Sequence, residues 1–187
     1  MNSDAVFREI SSALERARVP YMVVGSFASN LYGTGRATQD IDLVVSATPE
    51  QIQTLLSLIS KTNYYFDLDS ALEASRSKSM FNILDMESGW KIDVIFQKPT
   101  PYHQQAFQRR TPAEIEDVPL FVATAEDVII SKLEWAKMSE SSRQIDDVVG
   151  ILRVRGRSLD RAYIDKWVFE LGLTPEWSVA RKSAGLE

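Results

Sequence analysis

The stretch VVGSFASNLYGTGRATQDIDLVV, residues 23–45, contains the features that decide the fold. An apolar run ends at Gly25-Ser26, a short amphipathic segment follows, and Asp40 and Asp42 then stand inside a second apolar run. Charged side chains are rare in buried strands unless they are paired or bind a ligand. Two acids separated by one residue in such a strand therefore point to a specific role.

The spacing of the two acids predicts that they share one face of a strand. Side chains alternate faces along a strand, so Asp40 and Asp42 are expected on one face, with Ile41 and Leu43 on the other. Two carboxylates this close repel each other unless a positive charge lies near them. A divalent cation supplies that charge, and ligands that are all oxygen favour Mg²⁺ or Mn²⁺. Solvent exposure at a strand end, or pairing with arginines, would explain the same pair without a metal.

A third acid repeats the pattern in WKIDVIF, residues 90–96, where Asp93 stands inside an apolar strand. If this strand neighbours residues 41–45, Asp93 can join Asp40 and Asp42, and three carboxylates on adjacent strands can hold two metals. A site of this kind would also explain the Gly25-Ser26 turn. Glycine lets the backbone approach a ligand, and the helix that follows offers free amide groups to phosphates.

The rest of the chain predicts an α/β core over residues 1–122 and a helical part over residues 123–187 that packs on the core. The sequence Thr48-Pro49-Glu50-Gln51 has the pattern of a helix start with a capping box, and Glu87-Ser88-Gly89 predicts a hairpin turn. Further segments have strand patterns, near residues 21–24, 41–45, 64–67, 79–86, 91–97 and 118–122. The helical part is expected to close one side of a cleft.

Composition excludes several classes of protein. The chain has 187 residues, a formal charge of −5, no cysteine and a single histidine, His103, which is expected at the surface. These counts argue against a disulfide framework, a zinc site of thiolates or histidines, and a Ser-His-Asp triad. No apolar run approaches the roughly 18 residues of a membrane helix, and the first 20 residues do not have the pattern of a secretory signal. A cytoplasmic location without membrane association is therefore expected.

Lys132 is a further candidate site residue, because it lies inside an apolar helical stripe. The stripe consists of Ala125, Val128, Ile129, Lys132, Leu133 and Ala136. A lysine at such a position needs a partner or a ligand, unless its stem covers the core and its amine reaches water. A phosphate or an aspartate would be a suitable partner. Asp146 and Asp147 are both candidates, and spacing does not choose between them.

At these residues the sequence resembles the DNA polymerase β-like nucleotidyltransferase superfamily. The matching pattern is G-S followed by R-x-T-x-D-x-D and a later isolated Asp in a strand, and it is similar to that of small bacterial members such as the AbiEii-type toxins. The corresponding residues are Gly25, Ser26, Arg36, Thr38, Asp40, Asp42 and Asp93. The helical segment TAEDVIISKLEWAKMSESSRQIDDVVGIL, residues 124–152, is similar to the family's A-x-D-x-I-x-x-K-L segment and adds Lys132, Arg143 and Asp147.

The resemblance implies a mixed β-sheet flanked by helices and a Mg²⁺- or Mn²⁺-dependent enzyme that transfers NMP from an NTP to a hydroxyl group. The metal ligands would be Asp40, Asp42 and Asp93, which would also be catalytic together with Lys132. Gly25, Ser26, Arg36, Thr38 and Asp147 would bind the nucleotide. The acceptor could be a tRNA end, a protein hydroxyl or a small molecule, and the context could be a toxin with a cognate antitoxin. The alternatives are an inactive nucleotide-binding or interaction module with the same fold, and a hydrolase that uses the same two-metal site.

Overall fold

The computed structural model describes residues 3–33, 35–115, 117–139 and 141–186. Contacts divide the chain into two compact units. The first consists of residues 1–24 and 38–122, and the second of residues 25–37 and 123–187. The sequence prediction placed residues 25–37 with the α/β core, whereas their contacts are those of the second unit. This segment is joined to the first unit through the chain at both of its ends.

Helices and strands are interspersed along the described part of the chain up to about residue 122, after which only helices follow. The strands are β1 (Tyr21–Val23), β2 (Asp40–Val45), β3 (Tyr64–Tyr65), β4 (Met80–Asp85), β5 (Lys91–Phe96), β6 (Thr111–Ile115) and β7 (Val118–Val122). The helices are α1 (Ser3–Arg16), α2 (Gly25–Tyr32), α3 (Pro49–Leu58), α4 (Leu68–Ser77), α5 (Pro101–Gln108), α6 (Ala125–Ser139), α7 (Ser142–Arg155), α8 (Arg161–Glu170) and α9 (Thr174–Ala184).

All seven strands form one mixed sheet in the first unit, in the order β3-β4-β5-β2-β1-β7-β6. Strands β2 and β5 are parallel, as are β1 and β7, whereas the other neighbours are antiparallel. Helix α3 packs on both α1 and α4, and α1 and α4 also contact strands. The observed architecture is therefore the predicted α/β class with a mixed sheet flanked by helices.

The two faces of the central strands differ in burial. Ile41, Leu43 and Val45 of β2 are buried, and so are Ile92, Val94 and Phe96 of β5. The residues between them in β2 are exposed or half-buried. This alternation has the period of two that the sequence predicted for Asp40 and Asp42. One sheet face is thus the core, and the acids lie on the other face.

Local sequence explains where several elements begin and turn. Thr48 and Gln51 form the predicted capping box at the start of α3, with Pro49 in the first turn. The hairpin between β4 and β5 turns at Ser88 and at Gly89, whose φ is +75°. The buried Asp85 carboxylate accepts hydrogen bonds from the Glu87 amide and the Ser88 hydroxyl, which stabilises this turn.

Strand β6, TPAEI, was missed by the sequence pattern. Proline lacks the amide hydrogen needed in the interior of a sheet, so Pro112 argues against a strand when only the sequence is read. Among the residues that the structure describes, β6 is the last strand of the sheet and pairs with β7 alone. An edge strand tolerates proline, because one of its sides carries no ladder of hydrogen bonds.

His103 is half-buried rather than at the surface, which corrects the sequence expectation. It lies in the first turn of α5, where the Thr100 hydroxyl is 2.7 Å from its Nδ1 atom and also caps the helix. Burial, with a smaller contribution from the Lys98 charge, lowers the pKa of His103 to about 4. The imidazole is therefore neutral near pH 7 and serves the local structure of this helix start.

The second unit is held together by buried contacts between its helices. At the end of α2, a Cβ atom on Gly33 would lie 2.8 Å from the Ile151 amide nitrogen of α7, so only glycine permits this approach. The buried Asp127 of α6 accepts hydrogen bonds from the Thr124 and Tyr163 hydroxyls, both at 2.7 Å. The helical part and residues 25–37 thus share one core.

Among the described residues, no helix has the length and apolar character needed to cross a membrane.

Candidate functional site

The first group of candidate residues lies on strands β2 and β5 of the first unit. In the register of this parallel pair, Asp42 is opposite Asp93 and Asp40 is opposite Lys91. Since side chains repeat every two residues, all four belong to the same sheet face. The condition under which Asp93 could join the other two acids, that the two strands are neighbours, is therefore met, and Asp40, Asp42 and Asp93 share one face.

Burial increases along this group. Asp40 is exposed, Asp42 is half-buried, and Asp93 is 8% exposed. A carboxylate as buried as Asp93 needs partners to remain charged. The Asn82 amide of β4 donates a hydrogen bond to its Oδ1 atom at 2.5 Å, and the Lys91 ammonium lies 3.0 Å from its Oδ2 atom. Asp93 is therefore held by Asn82 on the neighbouring strand β4 and by Lys91, two residues earlier on its own strand.

Lys91 was not among the sequence candidates, although its position two residues before Asp93 could have identified it. Its ammonium is also 3.7 Å from the Asp40 carboxylate. A hydrogen bond to Asp93, and then the charges of Asp93, Asp40 and Asp42, raise the pKa of Lys91. Lys91 thus supplies a positive charge among the three carboxylates.

The donor set of this group fits a hard divalent cation, because it consists of carboxylate oxygens on one partly open sheet face. Within the part of the chain that the structure describes, no three histidine, cysteine or acidic side chains already converge as a metal cage. The metal-ligand roles of Asp40, Asp42 and Asp93 therefore stay a prediction. Binding of a metal would require the carboxylates to draw together around it.

Thr38 stands just before the acids and shapes the start of β2. Its hydroxyl accepts a hydrogen bond from the Asp40 amide at 3.2 Å. This contact holds the backbone at the point where the strand begins. The structure therefore gives Thr38 a local positioning contact, and its predicted role in nucleotide binding stays a prediction.

The second group of candidate residues lies in the second unit and is linked by hydrogen bonds and ion pairs. The Arg36 guanidinium donates hydrogen bonds to the Ser26 hydroxyl at 2.5 Å and, through Nε, to Asp147 at 3.2 Å. The Lys132 ammonium donates to the same Asp147 carboxylate at 2.8 Å. Four residues that are far apart in sequence, Ser26, Arg36, Lys132 and Asp147, are thus joined.

This second group resolves the choice between the two adjacent acids of α7. The Asp147 side chain is 7% exposed and that of Lys132 is 5% exposed, so their ion pair is buried. Asp146 is exposed, and so is Arg143, which the sequence resemblance had also suggested. Two cations share one carboxylate in this group, which leaves an excess positive charge suited to an anion.

Asn30 is a positioning residue that sequence reasoning missed. Its side-chain amide donates to the Arg36 carbonyl at 2.8 Å, and its Oδ1 atom accepts from the Arg36 amide at 3.0 Å. This pair of hydrogen bonds holds the backbone of Arg36 against α2. No spacing rule for a helix predicts such a contact, because it depends on the path of the chain after α2.

Helix α2 begins at Gly25, whose φ of +64° is a conformation that favours glycine. Ser26 follows in the first turn and is buried. The first amides of a helix lack partners within it and carry the positive end of its dipole. Gly25 and Ser26 therefore stand where the sequence predicted a phosphate-binding turn, although phosphate contact stays a prediction. The predicted approach of Lys132 to the three aspartates likewise stays a prediction.

The buried ion pair predicts a specific stability effect. Asp147→Asn removes the carboxylate that pairs with the buried Lys132, so we expect the free energy of unfolding to fall by about 3 kcal/mol. Asp146→Asn is the matched control, and the expected change there is within about 0.5 kcal/mol, because the side chain is exposed. Denaturant unfolding of both variants measures the difference. Equal stability of the two variants would contradict the importance of this pair.

Comparison with known proteins identifies the fold. No protein-family model matches the chain, and no curated protein sequence matches it. The solved structure of the antibiotic-resistance factor ANT(2'')-Ia matches with a TM-score of 0.55 and 14% identity, over 98% of this chain and 92% of that one. The lincosamide antibiotic adenylyltransferase LnuA matches with a TM-score of 0.55 and 12% identity, over 81% of this chain and 96% of that one.

A third solved structure matches with a similar TM-score and a similarly low identity. An antigenic nucleotidyltransferase-like protein from Paracoccidioides brasiliensis aligns with a TM-score of 0.53 and 16% identity, over 98% of this chain and 94% of that one. At such low identity the likeness concerns the fold. This chain therefore has a nucleotidyltransferase-like fold, with a seven-stranded mixed sheet and flanking helices.

Proposed function

We propose that this protein is a metal-dependent nucleotidyltransferase that transfers NMP from an NTP to a hydroxyl acceptor. The observation that carries the proposal is the register of β2 and β5, which sets Asp42 opposite Asp93 with Asp40 on the same face. This arrangement occurs in a chain with a nucleotidyltransferase-like fold. Asp40 and Asp42 lie outside the core, which is on the opposite face of the same strands, and the partners of the buried Asp93 are polar rather than apolar.

Each carboxylate has a proposed task. Asp40, Asp42 and Asp93 would hold Mg²⁺ or Mn²⁺, which would neutralise phosphate charge and favour ionisation of the attacking hydroxyl. The acceptor oxygen forms a bond to the α-phosphorus, and the bond from that phosphorus to the oxygen bridging to the β-phosphate breaks. Pyrophosphate leaves, and the hydroxyl proton passes to Asp93, the most buried of the three acids. An NTP and an acceptor alcohol thus give a phosphodiester and pyrophosphate.

Taken by itself, the second unit is proposed to contain phosphate-binding residues. The Ser26 hydroxyl and the free amides at the start of α2 are donors for phosphate oxygens, and Gly25 allows a close approach. Arg36 and Lys132 provide positive charge, while Asp147 orients both cations through contacts of 3.2 Å and 2.8 Å. Asp147 is therefore proposed to act on the nucleotide through its neighbours rather than by direct contact.

Two classes of acceptor have specific support. Among proteins with this fold, ANT(2'')-Ia has been solved in complex with adenylyl-2''-tobramycin, and LnuA is an adenylyltransferase of lincosamide antibiotics. These names support a small-molecule hydroxyl. The R-x-T-x-D-x-D pattern over residues 36–42, which is similar to that of AbiEii-type toxins, supports a tRNA or protein acceptor and a cognate antitoxin. Cytoplasmic NTP would serve either reaction.

A labelling experiment tests the function and separates the acceptors. Each of the four NTPs, labelled at the α-phosphate, is incubated with the protein and Mg²⁺ in the presence of total tRNA, extract proteins, or aminoglycosides and lincosamides. We expect label in one acceptor class, release of pyrophosphate, and loss of both when EDTA removes the metal. If the protein binds NTP but no class gains label, the result favours the inactive-module alternative.

A further inference from the structure

Lys91 is a partly exposed lysine whose ammonium lies among acids instead of in solvent. It begins β5, its side chain is 42% exposed, and it shares the open sheet face with the three aspartates. An exposed lysine usually extends into water, because its ammonium is strongly hydrated and its stem is flexible. The Lys91 ammonium instead lies 3.0 Å from Asp93 and 3.7 Å from Asp40.

The charges around Lys91 explain this position. Asp40, Asp42 and Asp93 would place three negative charges on adjacent positions of one face without it. Asp93 is buried, so its charge is poorly screened by solvent. The Asn82 amide satisfies one of its oxygens and Lys91 the other. The ammonium thus lies against carboxylates of two of the three residues that would hold a divalent cation.

We propose that Lys91 is a built-in counter-ion that sets the metal affinity of the carboxylate group. In the metal-free protein its ammonium stabilises Asp40, Asp42 and Asp93. When a divalent cation binds, the ammonium repels it and must leave the carboxylate oxygens. Lys91 is therefore a positioning residue that keeps the site ordered before the metal arrives and weakens metal binding. This inference rests on the proposed function, because it requires the carboxylates to bind a metal.

Removal of the ammonium should stabilise the metal-bound protein and destabilise the metal-free protein. In Lys91→Met, with the aliphatic stem retained, we expect Mn²⁺ to bind about tenfold more tightly, which corresponds to about 1.4 kcal/mol. We also expect a lower melting temperature without metal and a larger rise when metal is added. Calorimetric titration with Mn²⁺ alone and thermal unfolding measure these effects without nucleotide or acceptor.

Two variants serve as controls. Lys61→Met removes the same charge from an exposed position of the first unit, and its metal affinity should equal that of the wild type. Lys91→Arg keeps the positive charge and should also stay near the wild-type affinity. If Lys91→Met and the wild type bind Mn²⁺ equally, the counter-ion role is wrong while the metal site stands. If the wild type binds no Mn²⁺, the metal site and the counter-ion role both fail.

A measurement on the unmodified protein keeps the proposal testable should Lys91→Met not fold. The acetylation rate of the Lys91 amine is followed by mass spectrometry with and without saturating Mg²⁺, with Lys61 as the internal reference. Release of the ammonium from Asp93 should increase the rate at Lys91 severalfold and leave Lys61 unchanged. An unchanged or slower rate at Lys91 with Mg²⁺ would overturn the proposal.

Discussion

Asp93→Asn is expected to lower turnover by roughly 10²-fold or more while NTP affinity stays nearly unchanged. Asparagine has almost the same size and can still bond to Asn82, but it has no negative charge. The nucleotide and one metal can be held by Asp40 and Asp42, whereas activation of the attacking hydroxyl needs a further carboxylate as a base or as a second metal ligand. Label transfer and calorimetric NTP binding measure the two quantities separately.

The matched control for Asp93→Asn is Asp69→Asn in α4, an exposed acid of the same unit. Its turnover and affinity should both equal those of the wild type. Circular dichroism of each variant checks that the fold is retained. If Asp93→Asn transfers label at the normal rate, Asp93 is a structural acid and the proposed chemistry has to be reassigned.

Replacement of Asp40 and Asp42 together by asparagine is expected to abolish the metal dependence of nucleotide binding. Wild-type protein should bind Mg²⁺-NTP more tightly than NTP with EDTA, because the metal links the carboxylates to the phosphates. Changes beyond the ligands themselves typically cost a metal site 10- to 100-fold in affinity. We therefore expect the loss of two ligands to weaken metal binding at least about 100-fold. Calorimetry with and without Mg²⁺ measures this effect.

The control is a double variant that removes the same amount of negative charge from another part of the first unit. Asp69→Asn with Glu73→Gln removes two exposed carboxylates from α4, and the metal dependence of binding should persist. Retained Mg²⁺ dependence in the Asp40 and Asp42 double variant would show that these acids are not metal ligands. Asp93 would then be left without the partners that the proposed reaction requires.

The features of the fold that the sequence predicted follow from local rules. Alternation with a period of two placed Asp40 and Asp42 on one face and Ile41 and Leu43 in the core, as observed. The capping box at Thr48 and the turn at Gly89 depend on a few adjacent residues, and both were predicted correctly. Strand β6 was not, because an edge position permits a proline and the sequence does not indicate which strand is at an edge.

The candidate site also has features that the sequence predicted and features that only the structure shows. The sequence alone identified Asp40, Asp42, Asp93 and Lys132, because each is a charged residue at an apolar position. Such a residue is recognisable in an apolar strand or helical stripe wherever that element lies in the fold. Their partners required the tertiary structure. Only the parallel register of β2 and β5 sets Asp42 opposite Asp93 and brings Lys91 to the acids.

The contacts of the second unit also depend on which distant segments pack together. Lys132 had two adjacent acids to choose from, and the packing of α6 against α7 within that unit selects Asp147. Residues 25–37 belong to the helical unit because Gly33 meets the backbone of Ile151 and Arg36 reaches Asp147 across more than 100 positions of sequence. By itself the sequence determined which residues are chemically unusual and which local elements carry them. The tertiary structure decided which of them meet, since contacts between distant segments depend on packing that no local pattern encodes.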